Sequence, residues 1–196
     1  MEYDSQLARQ IEAGSFIVTA EYLPTASTES SAVEKVKRFF NCGLTAVNVA
    51  DNPHGPVMSS LAGSVALQRS GIEPVYQIVT RDRNRIAIQS DLLGAVSLGI
   101  RNVLCLSGYH QALTSSPESS NVYDVDSIQL IAAVKKMKAE GTLLNGTQIE
   151  GRFPVLVGAA ANPDLKPMEL NLIGLVKKVA AGAAFIQTQA VFDIDA

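Results

Sequence analysis

The chain has 196 residues, 47% of them apolar, and a formal net charge of −3. That length supports one domain with a substantial core. No apolar run approaches the ~20 residues needed to span a bilayer, and no basic surplus offers a nucleic-acid surface.

In chain order, Ser5–Ala13 reads as a short leading helix and Phe16–Leu23 as a first strand. Ser30–Phe40 is predicted as an amphipathic helix, Leu44–Ala50 as a second strand and Val57–Arg69 as the next helix. Pro74–Thr80 is a third strand, Arg85–Leu98 a helix and Arg101–Leu106 a fourth strand. After a Ser-, Asn- and Tyr-rich loop come a helix at Asp126–Lys138, a strand at Pro154–Ala161, a helix at Met168–Ala181 and a strand at Ala184–Phe192. Glycines 43, 71, 99, 141 and 182 stand where helices should stop.

Strict alternation of strand and helix implies a parallel sheet with helices outside it. The first strand leads into Leu23-Pro24-Thr25-Ala26-Ser27, without the G-x-G-x-x-G turn of a dinucleotide-binding doubly wound sheet. Polar residues instead recur at the C-terminal ends of successive strands: Glu21, Asp51 with Asn52, Gln77, Ser107 with Gly108, Asn162 and Gln189. That distribution favours a (β/α)8 TIM barrel. About six βα units are counted, so residues 1–196 are expected to form a single barrel domain that is incomplete after strand six. Open sheet edges would then favour self-association.

Several residues carry chemistry. Glu21, an acid inside an apolar strand, is expected to be buried, raised in pKa and suited to general acid catalysis; pairing with a neighbouring cation is the alternative. Asp51 and Asn52 read equally as ligand contacts or as caps for the next helix. His54 has no spaced partners for a metal, and no metal is expected. Gln77 is a second polar residue in an apolar strand. Arg81 and Arg83 follow it, either facing a phosphate or lying in a solvated loop. Gly108 allows close backbone approach to a flat ligand or makes a simple turn, and Tyr109 can stack on such a ligand. Lys177 and Lys178 suit a helix C-terminus or a phosphate. The last strand is expected to be buried, with Gln187, Thr188 and Gln189 turned toward a ligand. Cys42 and Cys105 lie far apart in apolar contexts, as buried free thiols of a reducing cytoplasm.

An ordered set of segments resembles methylenetetrahydrofolate reductase, a flavin-dependent barrel family. The set is Thr19-Ala20-Glu21-Tyr22, Asp51-Asn52-Pro53, Gly99 to Gly108, Gly158 to Pro163, Lys178 to Ala183, and Gln187 to Asp193. The insert from Glu140 to Phe153 is similar to the bacterial and archaeal branch. The resemblance implies FAD across the barrel mouth, reduced by NADH, NADPH or an iron–sulfur donor subunit. It implies hydride transfer to 5,10-methylenetetrahydrofolate, giving 5-methyltetrahydrofolate in one-carbon metabolism and methionine biosynthesis. It assigns Glu21 as general acid and Gln189 to the folate. It assigns Gln77, Ser107, Gly108, Tyr109, Tyr123, Asn162, Asn171 and Lys178 to the flavin neighbourhood. Two positions depart from the family: Tyr109 stands where an aspartate is usual, and Gln77 where many members have histidine. The Tyr109 departure opens a second reading, a non-catalytic flavin- or folate-binding subunit. A third reading takes a phosphorylated substrate between Glu21 and an Arg81–Arg83 clamp.

Overall fold

The computed structural model describes residues 4–28, 36–37 and 43–192. The elements are α1 (Gln6–Glu12), β1 (Thr19–Tyr22), β2 (Ala46–Val49), α2 (Ser60–Arg69), β3 (Pro74–Val79) and α3 (Arg85–Ser97). They continue with β4 (Asn102–Leu106), a 3-10 turn (Gln111–Leu113), α4 (Ser127–Glu140), β5 (Leu156–Ala161), α5 (Met168–Ala181) and β6 (Phe185–Thr188). The expected helix at Ser30–Phe40 and the thiol of Cys42 lie outside the described residues, apart from helical Val36 and Lys37.

All six strands pair in parallel, and their spatial order is their chain order, β1-β2-β3-β4-β5-β6. A doubly wound sheet would reverse direction partway. The sequential order makes this a partial (β/α)8 barrel, with every strand C-terminus on one rim.

Alternation along each strand sorts side chains to two faces. Tyr76, Ile78, Val103, Cys105, Val157 and Ala159 point outward and pack beneath α3 and α4 with Ile88, Leu92, Leu130, Ile131, Val134 and Met137. Ala46, Val75, Leu104, Leu156 and Phe185 point inward, against Leu7 and Ala8 of α1. The same alternation leaves Glu21, Asn48 and Gln77 on the inner face.

Helix α1 closes the N-terminal rim. Ser5 caps it, its Oγ accepting the Ala8 N–H at 3.1 Å, and the Glu73 carboxylate accepts the Gln6 and Leu7 N–H groups at 2.6 and 2.8 Å. A carboxylate at that end also suits the helix dipole.

Gly158 on β5 faces the ring of Phe185 on β6. A Cβ there would stand 2.2 Å from Phe185 Cζ, so any side chain displaces the ring from the inner floor. Replacing Gly158 by Val is expected to cost about 1–3 kcal/mol by overpacking. A thermal melt checks this; an unchanged Tm contradicts the packing.

The far edge differs from expectation. β6 was expected to be a buried strand through Phe192; it is four residues long, half-exposed, and Gln189 to Phe192 lie beyond it in the open. Helix α5 matches its predicted bounds yet has no buried residue, and Leu170, Ile173, Val176 and Val179 are 51–66% exposed. Among the described residues nothing packs outside β6, so the burial expected of an interior parallel strand is missing. No described helix is long and apolar enough to cross a membrane.

Candidate functional site

The C-terminal rim carries a cavity of about 280 Å³ lined by Glu21, Asp51, Gln77, Arg81, Gly108, Tyr109 and Gln189, among others. Five of the six strand ends contribute because the parallel register brings the rim to one level. β1 supplies Glu21, β3 supplies Gln77, and the segments after β4 and β6 supply Tyr109 and Gln189. Gln189 is held there by its N–H, which donates to the Ala161 carbonyl at 2.8 Å.

Gln77 is buried, and its Nε2 donates to Glu21 Oε1 at 3.3 Å. Two of the polar residues singled out from sequence are therefore neighbours, though 56 positions apart. Glu21 itself is exposed on the open inner face, not enclosed as expected. The strands that would roof it are not among the described residues.

Two further cavities continue along the rim. One of about 210 Å³ is lined by Ser107, Gly108, Tyr109, Ser127, Lys178 and Gln189. Another, about 340 Å³, lies between the end of β5 and α5 and is lined by Asn171, Pro167, Leu170 and again Lys178. The lysine amine thus stands where the two meet. Its Nζ donates to the Ala160 carbonyl at 2.6 Å. Burial lowers the Lys178 pKa, with the charge of Asp126 working against that shift.

Tyr123 and Asn162 line none of the three cavities. The Tyr123 hydroxyl donates to the Gly108 carbonyl at 3.3 Å, and the Asn162 carbonyl accepts the Asn171 side-chain amide. Both support neighbours that do line the trough. Ser107 Oγ accepts the Ser127 N–H at 3.3 Å, at the start of α4. Gly108 has φ +80°, and a Cβ there would sit 3.2 Å from Arg81 Cβ and 3.3 Å from Val79 Cβ. Turn conformation and packing from behind both demand this glycine.

The arginines are neither phosphate-facing nor solvated, which corrects both readings of them. Arg83 forms a fork with Asp51, Nη1 to Oδ2 at 2.6 Å and Nη2 to Oδ1 at 3.1 Å, and its Nε meets Asp91 at 3.1 Å. Asp51 also accepts the Val79 N–H at 2.9 Å, and Ser59, not Asp51, caps the next helix. Burial would lower the Arg83 pKa, but the Asp51 hydrogen bond and charge dominate and raise it. Arg81 is 2% exposed and pairs with Asp82 at 2.7 Å. Burial pushes the Asp82 carboxyl up, but hydrogen bonds from Arg81 and Asn52 hold it below the usual carboxylate range. The sequence signal for these braces was Arg81-Asp82-Arg83 following a strand beside one that ends in Asp51.

His54 and Lys177 are exposed. Cys105 is a buried free thiol, its pKa raised by burial. Among the described residues no group of three or more His, Cys, Asp or Glu could hold a metal.

The family model described as methylenetetrahydrofolate reductase matches residues 6–196. No curated protein matches the chain. Among solved structures, a Clostridium thermocellum protein that binds two copies of 5-methyl-5,6,7,8-tetrahydrofolic acid is 14% identical, with TM-score 0.65, over 97% of this chain and 60% of its own. A 2,3-dimethylmalate lyase of the PEP mutase/isocitrate lyase superfamily is 15% identical, with TM-score 0.59, over 96% of this chain and 64% of its own. At such identities the likeness is one of fold, and this chain spans less than two thirds of either structure's length.

Proposed function

Because the chain belongs to the methylenetetrahydrofolate reductase family, we propose that its rim binds FAD and reduces 5,10-methylenetetrahydrofolate to 5-methyltetrahydrofolate. The observation that carries this reading is the meeting of Glu21, Gln77, Tyr109 and Gln189 around one cavity that continues past Lys178 toward Asn171.

The residues present fit a flavin dinucleotide. The trough is elongated, Lys178 supplies a cation for a phosphate at the junction of two cavities, and Tyr109 offers an aromatic face shared by the Glu21 cavity and the next one. Bound there, FAD would supply the hydride chemistry, with NADH, NADPH or an iron–sulfur subunit as the source of electrons. The protein's own part is acid–base and positional. Glu21, oriented by the Gln77 amide, gives a proton to the folate nitrogen as the imidazolidine ring opens toward the iminium. Gln189 bonds the folate beside it. Folate binding by the Clostridium thermocellum protein of similar fold supports the substrate class.

We also propose that this is one barrel domain, working in a reducing cytoplasm, whose inner face is completed by two further βα units. The half-exposed β6, the uncovered α5 and the greater length of the structures of similar fold support it. Those units would enclose Glu21 and provide the burial its role calls for.

One observation favours a second reading. Tyr109, 57% exposed over the cavity, stands where the family has an aspartate that can bond the pterin and tune the flavin. In that reading the chain binds flavin or folate without turnover. Titration of the full-length chain with FAD tests the common ground: a bound-flavin absorption spectrum is expected, and no uptake of FAD overturns both readings. Y109D then separates them, since a gain of turnover from none identifies a diverged binding protein.

A further inference from the structure

Among the described residues Arg81 is the largest fully buried side chain, and it carries a charge. Burying a guanidinium is costly unless its donors are engaged, so its partners show what its burial achieves. Nε donates to Asp82 Oδ1 at 2.7 Å and Nη2 to Asp82 Oδ2 at 2.9 Å, a fork to the adjacent residue. The other contacts leave the segment. Nη2 reaches the Asn52 carbonyl at 2.9 Å, in the loop after β2, and Nη1 reaches the Tyr109 carbonyl at 3.2 Å, in the loop after β4.

Asp82 extends the same ties, accepting the Asn52 amide at 3.3 Å and the Gln111 amide at 2.8 Å. The Arg81 main chain adds two more, its N–H to the Ser107 carbonyl at 3.1 Å and its carbonyl from the Val122 N–H at 2.8 Å. Two loops of the rim, those after β2 and after β4, therefore converge on one residue pair. Asn52 has φ 47° and Tyr123 φ 42°, conformations that a non-glycine residue keeps only when its surroundings fix it.

From this convergence we infer that Arg81 is a positioning residue of the rim: with Asp82 it sets the placement of the Asn52 and Tyr109 loops, and through Tyr109 the geometry of the bound flavin. The inference rests on the proposed flavin site for its last step only. Lysine cannot replace arginine here, since a single ammonium does not span a carboxylate fork and two carbonyls.

The test uses the full chain with R81K, and with D82N as a second variant that keeps shape while weakening the fork. Hydrogen exchange read by mass spectrometry is expected to quicken about tenfold at residues 50–57 and 107–123, with β5 and α5 unchanged. In the same variants FAD dissociation constants are expected to rise about tenfold, and the band shape of bound flavin to change at saturation. Unchanged exchange at both segments, or exchange raised uniformly across the chain, overturns the inference. So do loosened segments with unaltered FAD affinity and spectrum. If the unmodified chain takes up no FAD, the flavin reading falls, and the exchange pattern alone decides whether Arg81 sets the loops.

Discussion

Changing Glu21 to Gln is expected to lower turnover of 5,10-methylenetetrahydrofolate by roughly 10²–10⁴-fold, the usual contribution of a positioned acid. FAD affinity is expected to stay as it is, because Glu21 lines only the cavity at the folate end of the trough and Lys178 only the two beyond it. The amide keeps the size of the carboxyl and can still meet Gln77, so folding is not at issue. What it loses is the proton it would give to the opening ring. Kinetics of the variant with reduced flavin and saturating folate check this. Equal rates for Glu and Gln would remove Glu21 from the acid role and leave it as a hydrogen-bonding residue of the inner wall.

Asp51→Ala is expected to be the most destabilising single change at the rim, by about 3–5 kcal/mol. Asp51 is fully buried, and its loss strips Arg83 of a two-point partner and leaves the Val79 N–H without an acceptor. Asp91 remains 3.1 Å from Arg83 Nε, which places the expected cost toward the lower end. Asp51→Asn should fall between, since it keeps the acceptor for Val79 and loses the charge. Denaturant melts of the two variants check the order. An Asp51→Ala protein as stable as the parent would mean that the Arg83 brace contributes nothing to the fold.

Much of the architecture was readable because it is local. The polar interruptions at Glu21 and Gln77 in otherwise apolar strands marked the inner face, and alternation sends both there. Helix α5 ran to its predicted bounds because Pro167 precedes it and Gly182 ends it. The misreadings of Glu21 and β6 were non-local. Glu21 was expected to be buried because an acid among apolar neighbours suggests enclosure, yet enclosure depends on strands facing it across the barrel. β6 failed for the same reason, since burial of a parallel strand needs a neighbour on each side.

The arginines show a different limit. Nothing local in Arg81-Asp82-Arg83 says whether guanidinium groups point to a ligand or to carboxylates. For Arg81 the partner is the adjacent Asp82, but for Arg83 it is Asp51, in the segment after β2 that the sheet brings alongside β3. Spacing alone left these cations between a phosphate and a solvated loop, whereas in the structure they pair with carboxylates and brace the rim's loops.

The most direct test of flavin-dependent folate reduction at this rim is a single-turnover experiment. The chain is loaded with FAD, reduced without oxygen and mixed with 5,10-methylenetetrahydrofolate. Reoxidation of the flavin with stoichiometric formation of 5-methyltetrahydrofolate is the expected result. Flavin that stays reduced, in a chain that demonstrably binds both FAD and folate, would contradict the reductase reading and leave the rim as a binding site alone.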